Sequence, residues 1–358
     1  MKIAFISFYS GSVNRGSEAF VHELASRISK SHTVHVFQEG KDSTDASYRT
    51  LQTPVGVNWK KKDMTGTLWR RFFIDYWSVK IAHHVIKVLP QIWKEKYDIV
   101  FPINGGWQPA FLRILTWLYG GKMVVSGQSG IGWDDRNNLW SFPNSFIGLS
   151  RKAQAWAKRA NPFLKNIMYI PNGADLSKFN PQGEKFKTKL QPPIILCVGA
   201  FTKQKRIDLA IKAVSKLSGV SLLVAGDGEL KNYLTGLGNR LLGDRFELIS
   251  VKHEAMPKVY RVADLFTLLP GGSEAFGIVF VEAMATNLPV VTIDDAQRRE
   301  IVGEAGILVD PDDSEEYHAA LKEALGKNWG GIPRKQAEKF DWDNIAKDYE
   351  KLFLDLIN

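Results

Sequence analysis

Two carboxylates lie in a segment whose other residues are mostly apolar or small. The segment is PGGSEAFGIVFVEAMATNLPVV, residues 270–291. The two carboxylates are Glu274 and Glu282, with seven residues between them. We expect a strand to end at residue 269, a turn over residues 270–273, and a helix to run from about residue 276 to Thr286. The free N–H groups at the start of that helix would bind phosphate, helped by the helix dipole.

The spacing of the two glutamates suits hydroxyl groups on either side of such a phosphate. Glu282 would lie about 7.5 Å further along the helix axis, where it could accept hydrogen bonds from a ribose. Glu274, in the loop before the helix, could accept hydroxyls of a sugar beyond the phosphates. The alternative is that Glu282 pairs with an internal cation and Glu274 is solvated, because a buried glutamate is rare without a partner.

A second segment, ILCVGAFTKQKRIDLAIKAVSKL, carries three cations from a strand end into a helix. Lys203, Lys205 and Arg206 follow the strand end at Gly199 and Ala200. Cations at this edge of a sheet can neutralise a departing diphosphate, which stabilises developing charge. An exposed basic loop is the alternative.

The elements that would position these residues alternate between short apolar runs and amphipathic stretches. The predicted strands are KIAFISF, TVHVF, YDIVFPI, KMVVSG and SFIGLS, then IILCVGA, SLLVAG, FELISV, DLFTLL, PVVTI and GILVD. Such alternation predicts an α/β fold of parallel sheets covered by helices on both faces. Helix starts are expected near Ser17, as a cap, and near Asp208. With 358 residues the chain predicts two Rossmann-like domains, which would face a cleft, and a boundary near KNIMYIPNGADLSKFNP.

Composition limits the class of protein and its partners. The net charge of +9 is uneven, with about +12 on residues 1–165 and about −3 on the rest. A basic first half predicts an anionic partner or else a solvated basic surface. The single cysteine, Cys197, fits a reducing compartment. No apolar run is long enough to span a membrane, so a cytoplasmic protein is expected, with contact to the cytoplasmic face of a membrane left open.

The second half resembles the retaining GT-B glycosyltransferases of family 4, also called glycosyl transferases group 1. Six motifs appear in the family's order: PNGADLSKFNP, VGAFTKQKRID, LLVAGDGEL, VYRVADLF, SEAFGIVFVEAMATNLPVV and GILVDPDD. The resemblance is strong over residues 168–315 and extends to FDWDNIAKDYEKL, a helix that in this fold crosses back. It implies an acceptor-side domain at 1–165, a donor domain at 166–340 and a returning helix at 341–358.

The resemblance also assigns roles to individual residues. Lys205 matches the lysine that contacts the donor diphosphate, Glu274 the glutamate associated with the transferred sugar, and Glu282 the ribose-binding glutamate. The remaining donor-binding matches are backbone positions: Gly16 in the first glycine-rich loop, Val251 near the base, and Phe276, Gly277, Ile278 and Val279 near sugar and phosphate.

The implied reaction moves a sugar from a nucleoside diphosphate sugar, with UDP slightly favoured over GDP, to a hydroxyl of a glycan, a lipid-linked sugar or a small molecule. It needs no metal ion and no cofactor, and the departing phosphate helps to deprotonate the acceptor. Two alternatives remain from other classes: a nucleotide-sugar epimerase of the same fold, and a non-catalytic protein that binds nucleotide or glycan.

Two departures from the family pattern bear on activity. The usual arginine after the glycine of the VG strand is replaced by Ala200, and Arg206 or Lys203 is the candidate for the missing charge. A histidine usual in the first domain is also missing, and Gln128 or Ser129 stands in that region. Gln128 can hydrogen-bond but cannot act as a base near neutrality.

The first domain supplies the acceptor-side candidates Asn104, Trp107, Gln128 and Ser129, chosen by position alone. Its stretch LWRRFFIDYWSVKIAHHVIKVLPQIWKEKYD is basic and aromatic, with Trp69, Phe72, Phe73 and Trp77 at helical spacings. Such a helix can lie on an anionic membrane, or the aromatics can pack inside the domain. The glycines do not fit a G-x-G-x-x-G pattern, and no nucleic-acid module is visible.

If Arg206 replaces the missing arginine, Arg206→Ala should reduce turnover in sugar transfer far more than affinity for the donor, because the charge would act on the departing diphosphate. Steady-state kinetics with varied donor separates the two effects. An unchanged turnover number contradicts this role.

Overall fold

The computed structural model describes residues 1–13, 16–41, 46–59, 61, 66–272 and 274–358. The chain divides into two compact units, Met1–Asn172 with Trp342–Asn358, and Gly173–Asp341. The first division falls within the segment rich in Pro, Asn and Gly, at residue 172 where 165 was expected. The chain rejoins the first unit at residue 342, where 341 was expected.

The described part of the first unit contains a seven-stranded parallel sheet with the order β3-β2-β1-β4-β5-β6-β7. Its strands are β1 Lys2–Ile6, β2 Thr33–Gln38, β3 Arg49–Gln52, β4 Ile99–Pro102, β5 Lys122–Ser126, β6 Ser145–Gly148 and β7 Ile167–Tyr169. The five strands predicted here are confirmed. The additional strands β3 and β7 have no sequence signal because one is half-exposed and the other has three residues.

Both faces of this sheet are buried, as an all-parallel sheet requires. In β1, Ile3 and Phe5 belong to one hydrophobic cluster, and Ala4 and Ile6 belong to another. The helices of the unit are α1 Gly16–Ile28, α2 Thr67–Arg71, α3 Tyr76–Glu95, α4 Gln108–Tyr119, α5 Trp133–Trp140, α6 Arg151–Ala160 and, at the end of the chain, α14 Trp342–Ile357.

Helix α14 completes the core on one face of the sheet. Its Trp342 is 2% exposed, and the ring lies 5.8 Å from that of Phe20 in α1. An ion pair between Arg27 and Asp343, at 2.6 Å, joins the same two helices at the surface. The last 17 residues therefore stabilise the first unit, although they follow the second unit in sequence.

Two local predictions for the first unit were wrong. Ser17 does not cap α1, because the helix already begins at Gly16 and the Ser17 hydroxyl donates to Glu18 at 3.0 Å. The basic aromatic stretch forms two helices instead of one, because Phe73 adopts a left-handed backbone with φ of 55° and Asp75 caps α3. Trp69 and Phe72 are exposed, whereas Phe73 is buried and Trp77 is half-buried.

The described residues of the second unit form a six-stranded parallel sheet with the order β10-β9-β8-β11-β12-β13. All six predicted strands are confirmed: β8 Ile194–Val198, β9 Ser221–Ala225, β10 Phe246–Ile249, β11 Leu265–Leu268, β12 Val290–Ile293 and β13 Gly306–Val309. The helices are α7 Ile207–Ser215, α8 Lys231–Leu242, α9 Met256–Arg261, α10 Ile278–Ala285, α11 Ala296–Val302, α12 Ser314–Gly326 and α13 Ile332–Ala337.

The order of this sheet determines which loops meet. Strands β8, β11 and β12 are neighbours, and the carboxyl ends of parallel strands lie along one edge. The loop after β8 contains the 3-10 turn Lys203–Lys205, the loop after β11 leads into α10, and the loop after β12 leads into α11. Three loops distant in sequence therefore lie side by side.

Candidate active site

The lysine and the first glutamate singled out in the sequence are in direct contact. The Lys205 ammonium donates to the Glu274 carboxylate in an ion pair between the loops after β8 and β11. The two side chains are 22% and 18% exposed, so the pair is screened only in part. The stem of Lys205 lies over Gly199, where a Cβ would be 3.5 Å from Lys205 Cγ. A Cβ at residue 199 would therefore be in van der Waals contact with the lysine stem.

Helix α10 begins beside this pair, at Ile278. Its N-terminal cap is Gly277, whose φ of 87° favours glycine. The helix start was predicted one or two residues earlier, and Ser273 of the predicted turn lies outside the described residues. By helix geometry the N–H groups at the start of the helix, those of Gly277, Ile278 and Val279, have no acceptor within the helix. The Phe280 N–H donates to the Gly277 carbonyl at 3.0 Å. Phe276 is 2% exposed, and its ring contacts that of Phe340 at 5.8 Å.

The second glutamate is buried and hydrogen-bonded. Glu282 is 6% exposed and accepts a hydrogen bond of 2.7 Å from the Tyr260 hydroxyl of α9. Burial, with the Glu282 charge adding to it, raises the pKa of Tyr260 well above its ordinary value, so the phenol remains a donor. This contact of Glu282 is therefore with a phenol. The ribose role of Glu282 stays a prediction.

Two other predicted donor-side residues, Arg206 and Val251, form no hydrogen bond with the Lys205–Glu274 ion pair in the described part of the chain. The Arg206 guanidinium donates to the Pro311 carbonyl at 3.0 Å and to Asp312 at 3.1 Å. Val251 is half-buried just after β10. The role of Arg206 as a substitute for the missing arginine stays a prediction, and its present partners lie in the loop after β13.

Sequence reasoning gave no role to two residues of α11 that border the site. The Gln297 amide donates to the Ala275 carbonyl and so ties the segment before α10 to α11. Arg298 is 1% exposed, and its guanidinium lies 5.9 Å from the Phe280 ring centroid. The sequence alone does not distinguish Arg298, which is buried, from its neighbour Arg299, which is exposed.

In the first unit, the predicted acceptor-side residues follow strands of the sheet. The side-chain oxygen Oδ1 of Asn104 accepts from the Phe8 N–H at 2.8 Å, so this buried side chain fixes the end of β1 to the loop after β4. Trp107 is 46% exposed at the start of α4. Gln128 exchanges amide hydrogen bonds of 3.0 and 3.3 Å with Asn172, while Ser129 and Gly16 are exposed.

A buried carboxyl lies next to these residues. Asp135 of α5 is 2% exposed, and a Cβ at Gly127 would lie 2.8 Å from its Oδ2. Burial raises the pKa of Asp135 to about 8, against the lowering effect of hydrogen bonds from Asn138 and from the backbone of Ser129 and Gly130. The carboxyl is therefore largely protonated at neutral pH and stabilises the loop after β5 as a neutral group.

The comparisons with known proteins agree with the geometry of the second unit. Residues 179–341 match the family model Glycosyl transferases group 1. This stretch contains Lys205, Glu274 and Glu282 together with the six strands of the second sheet. The match lies within the second unit, Gly173–Asp341.

Two curated relatives match parts of the chain. An uncharacterized glycosyltransferase of Methanocaldococcus jannaschii is 33% identical over 170 residues, which is 43% of each chain. The phosphatidyl-myo-inositol mannosyltransferase of Mycobacterium tuberculosis is 28% identical over 223 residues, which is 58% of each chain. The matches therefore span about half the length of these relatives.

The fold is GT-B. Anabaena HepE in complex with UDP is similar over 99% of this chain and 100% of its own, with a TM-score of 0.76 and 17% identity. HepE has also been solved with UDP-glucose, and that structure has a TM-score of 0.75. At this identity the likeness establishes the two-unit Rossmann-like architecture alone.

The Asp135 carboxyl should make the stability of this GT-B protein depend on pH. Its folded pKa lies above the ordinary value of 3.8, so between about pH 4 and pH 8 the folded state holds a proton that the unfolded state has lost. The contribution of Asp135 to stability then falls as pH rises through this window, by up to about 1.4 kcal/mol per pH unit, and levels off above it. Below about pH 6.5 the buried His84 contributes with the opposite sign, because burial lowers its pKa to about 4. Asp135→Asn removes only the first contribution, so the slope of stability against pH, from urea unfolding curves, should become more positive than in the wild type.

The exposed carboxyl Asp355, changed to Asn, is the matched control and should leave the slope as in the wild type. A slope that is unchanged in the Asp135→Asn variant contradicts a protonated Asp135.

Proposed function

We propose that the protein is a glycosyltransferase that moves a sugar from a nucleoside diphosphate sugar to a hydroxyl of an acceptor. The contact between Lys205 and Glu274 carries this proposal. It brings a cation suited to a diphosphate and a carboxylate suited to sugar hydroxyls to the start of α10, within the residues that match the family model.

The donor-side chemistry follows from these groups. In the donor complex the ammonium of Lys205 and the free N–H groups at the start of α10 bind the diphosphate and stabilise the charge that develops as it departs. Glu274 accepts hydrogen bonds from the transferred sugar, and Glu282 accepts them from the ribose. The Tyr260 hydroxyl keeps the Glu282 carboxylate in a fixed position.

The transfer step needs no protein nucleophile. The bond from the anomeric carbon to the phosphate oxygen breaks, and the bond to the acceptor oxygen forms on the same face of the sugar. The acceptor proton passes to the departing phosphate. Retention of configuration, independence of metal ions and a UDP donor are parts of this proposal. The UDP complex of the structural neighbour supports a nucleotide donor, and the relative named as a mannosyltransferase supports sugar transfer.

For the acceptor we propose a hydroxyl compound bound by the first unit, near Asn104, Trp107, Gln128 and Ser129. A glycan, a lipid-linked sugar and a small molecule are the candidate classes. The buried hydrogen bonds of Asn104 and the paired amides of Gln128 give this region a fixed shape. Ser129 and Trp107 are the members with exposed side chains.

We further propose that the first unit contacts the anionic cytoplasmic face of a membrane. Along α3, Val79, Ile86 and Trp93 recur every seven residues with exposed fractions of 50%, 52% and 45%, so they share one side of the helix. Each is followed by a lysine. On α4, Ile114, Trp117 and Leu118 are between 58% and 72% exposed. Among the described helices none has the length and hydropathy to cross a bilayer.

Binding of UDP, GDP and ADP to the wild type, measured by calorimetry, tests the donor site. One of them should bind, and Lys205→Gln should weaken that binding by about ten- to a hundredfold because a charge-assisted hydrogen bond of about 1.5–3 kcal/mol is lost. Lys212→Gln, at an exposed lysine of the following helix, is the control and should bind like the wild type.

The same preparation separates the alternative activities. A transferase releases nucleoside diphosphate from the matching sugar donor when an acceptor is present, and the rate is unchanged by EDTA. Isomerised donor without an acceptor would indicate an epimerase. Binding without release over a broad acceptor panel would indicate a non-catalytic protein. Absence of binding by any of the three diphosphates contradicts the proposed function.

Membrane contact is tested by flotation with phospholipid vesicles that contain or lack anionic lipid. The wild type should float with the anionic vesicles and lose binding at high salt, because the basic residues of the first unit are then screened. Trp117→Glu should abolish flotation, whereas Tyr233→Glu, at an exposed aromatic of the second unit, should not. Equal loss in both variants, or no flotation of the wild type, contradicts the proposal.

A further inference from the structure

Arg298 is a buried cation with unused hydrogen-bond donors. Its side chain is 2% exposed, and Nη1 donates to Asp295 at 3.1 Å and to Gln297 at 3.3 Å. The Nε and Nη2 atoms are buried without a hydrogen-bond partner in the described part of the chain. Buried donors are nearly always satisfied in native proteins, so two unused donors on one guanidinium indicate a group that has a second state.

The geometry places this guanidinium beside the Glu274 segment. Arg298 lies against the Phe280 ring, and that ring also borders Gly277, where a Cβ would be 2.6 Å from it. The same Cβ position is 3.7 Å from Glu274 Cγ. In addition, the residue before Arg298 donates to the Ala275 carbonyl. Burial lowers the pKa of the Arg298 guanidinium while Asp295 and then Glu274 raise it, which puts the Glu274 charge within electrostatic range.

Binding of the sugar donor would leave Glu274 without its present cation, and a second cation nearby would then stabilise it. In the present structure Glu274 neutralises Lys205, so the ammonium is engaged before any diphosphate arrives. When Lys205 turns to the diphosphate, a carboxylate that is 18% exposed loses its partner. An unpaired charge in a partly dry site is costly, and the cost would oppose donor binding.

We propose that Arg298 is the alternative partner of Glu274. Its Nε and Nη2 atoms donate hydrogen bonds to the Glu274 carboxylate when Lys205 binds the diphosphate of the sugar donor. This inference rests on the proposed function. A carboxylate has about four acceptor positions, so Glu274 can accept from Arg298 and from a sugar hydroxyl together. Arg298 is in this account a positioning residue, which acts on the donor through Glu274 and Lys205.

A double-mutant cycle on nucleoside diphosphate affinity tests the exchange. The probe is whichever of UDP, GDP and ADP binds the wild type most tightly, and none of them carries a sugar. Arg298→Met should weaken binding at least tenfold because Glu274 then retains Lys205. Glu274→Gln should bind at least as tightly as the wild type, because Lys205 is released. The double variant should bind with the affinity of Glu274→Gln. Without the Glu274 carboxylate, Arg298 has no charge to pair with, so its loss should not change the affinity.

Arg299→Met is the matched control, because Arg299 is the next residue of α11, is 65% exposed and pairs with Asp294 at 2.5 Å. It should bind like the wild type. A purely structural Arg298 predicts another result, namely a loss in the double variant as large as in Arg298→Met alone. That additivity, or unchanged affinity in Arg298→Met, overturns the inference.

Should Arg298→Met not fold, Arg298→Lys takes its place in the cycle. One ammonium cannot serve Asp295 and Glu274 together, so its affinity should be lower than in the wild type and should again return to the Glu274→Gln value in the double variant. If the wild type binds none of the three diphosphates, the proposed function fails and the inference falls with it. If the wild type binds a diphosphate and the effects of the two substitutions on affinity are additive, the exchange of Glu274 between Lys205 and Arg298 is overturned and the proposed function is not.

Discussion

The ion pair between Lys205 and Glu274 is the interaction on which the rest of the site depends. It joins two loops that are 69 residues apart in sequence and partly shields both charges from water. In this ion pair a diphosphate could replace Glu274 as the partner of Lys205, and sugar hydroxyls could replace Lys205 as the partner of Glu274. The start of α10 and the buried Glu282 follow Glu274 in the same segment, so one short stretch of chain carries these three groups.

This pair exists because of the order of the second sheet. Strands β8 and β11 are neighbours although β9 and β10 come between them in sequence. The loops that follow parallel strands lie at one edge of the sheet, and the loop after β12 leads into α11, which contains Gln297 and Arg298. The small residues near this edge have a steric reason as well. At Gly226 a Cβ would lie 2.0 Å from the Gly199 carbonyl oxygen, so the strand ends can approach only with glycine there.

Much of the fold could be predicted from the sequence because each strand is a short apolar run between amphipathic stretches. Edge strands β3 and β7 lack that signal. In the candidate site, residue types and motif order singled out Lys205, Glu274 and Glu282 but did not predict the contacts that these side chains make. The hydroxyl that bonds Glu282 comes from Tyr260, 22 residues away on another helix. Arg298 and Arg299 are identical in type and adjacent, and only the phase of α11 buries one and exposes the other.

The most direct test of the account is a crystal structure of the protein with the nucleoside diphosphate that binds it. We expect the phosphates at the N–H groups of α10 and within hydrogen-bond distance of the Lys205 ammonium, the ribose hydroxyls on Glu282, and the Glu274 carboxylate separated from Lys205. A nucleotide bound elsewhere, or phosphates at α10 with the Lys205–Glu274 pair intact, would contradict it.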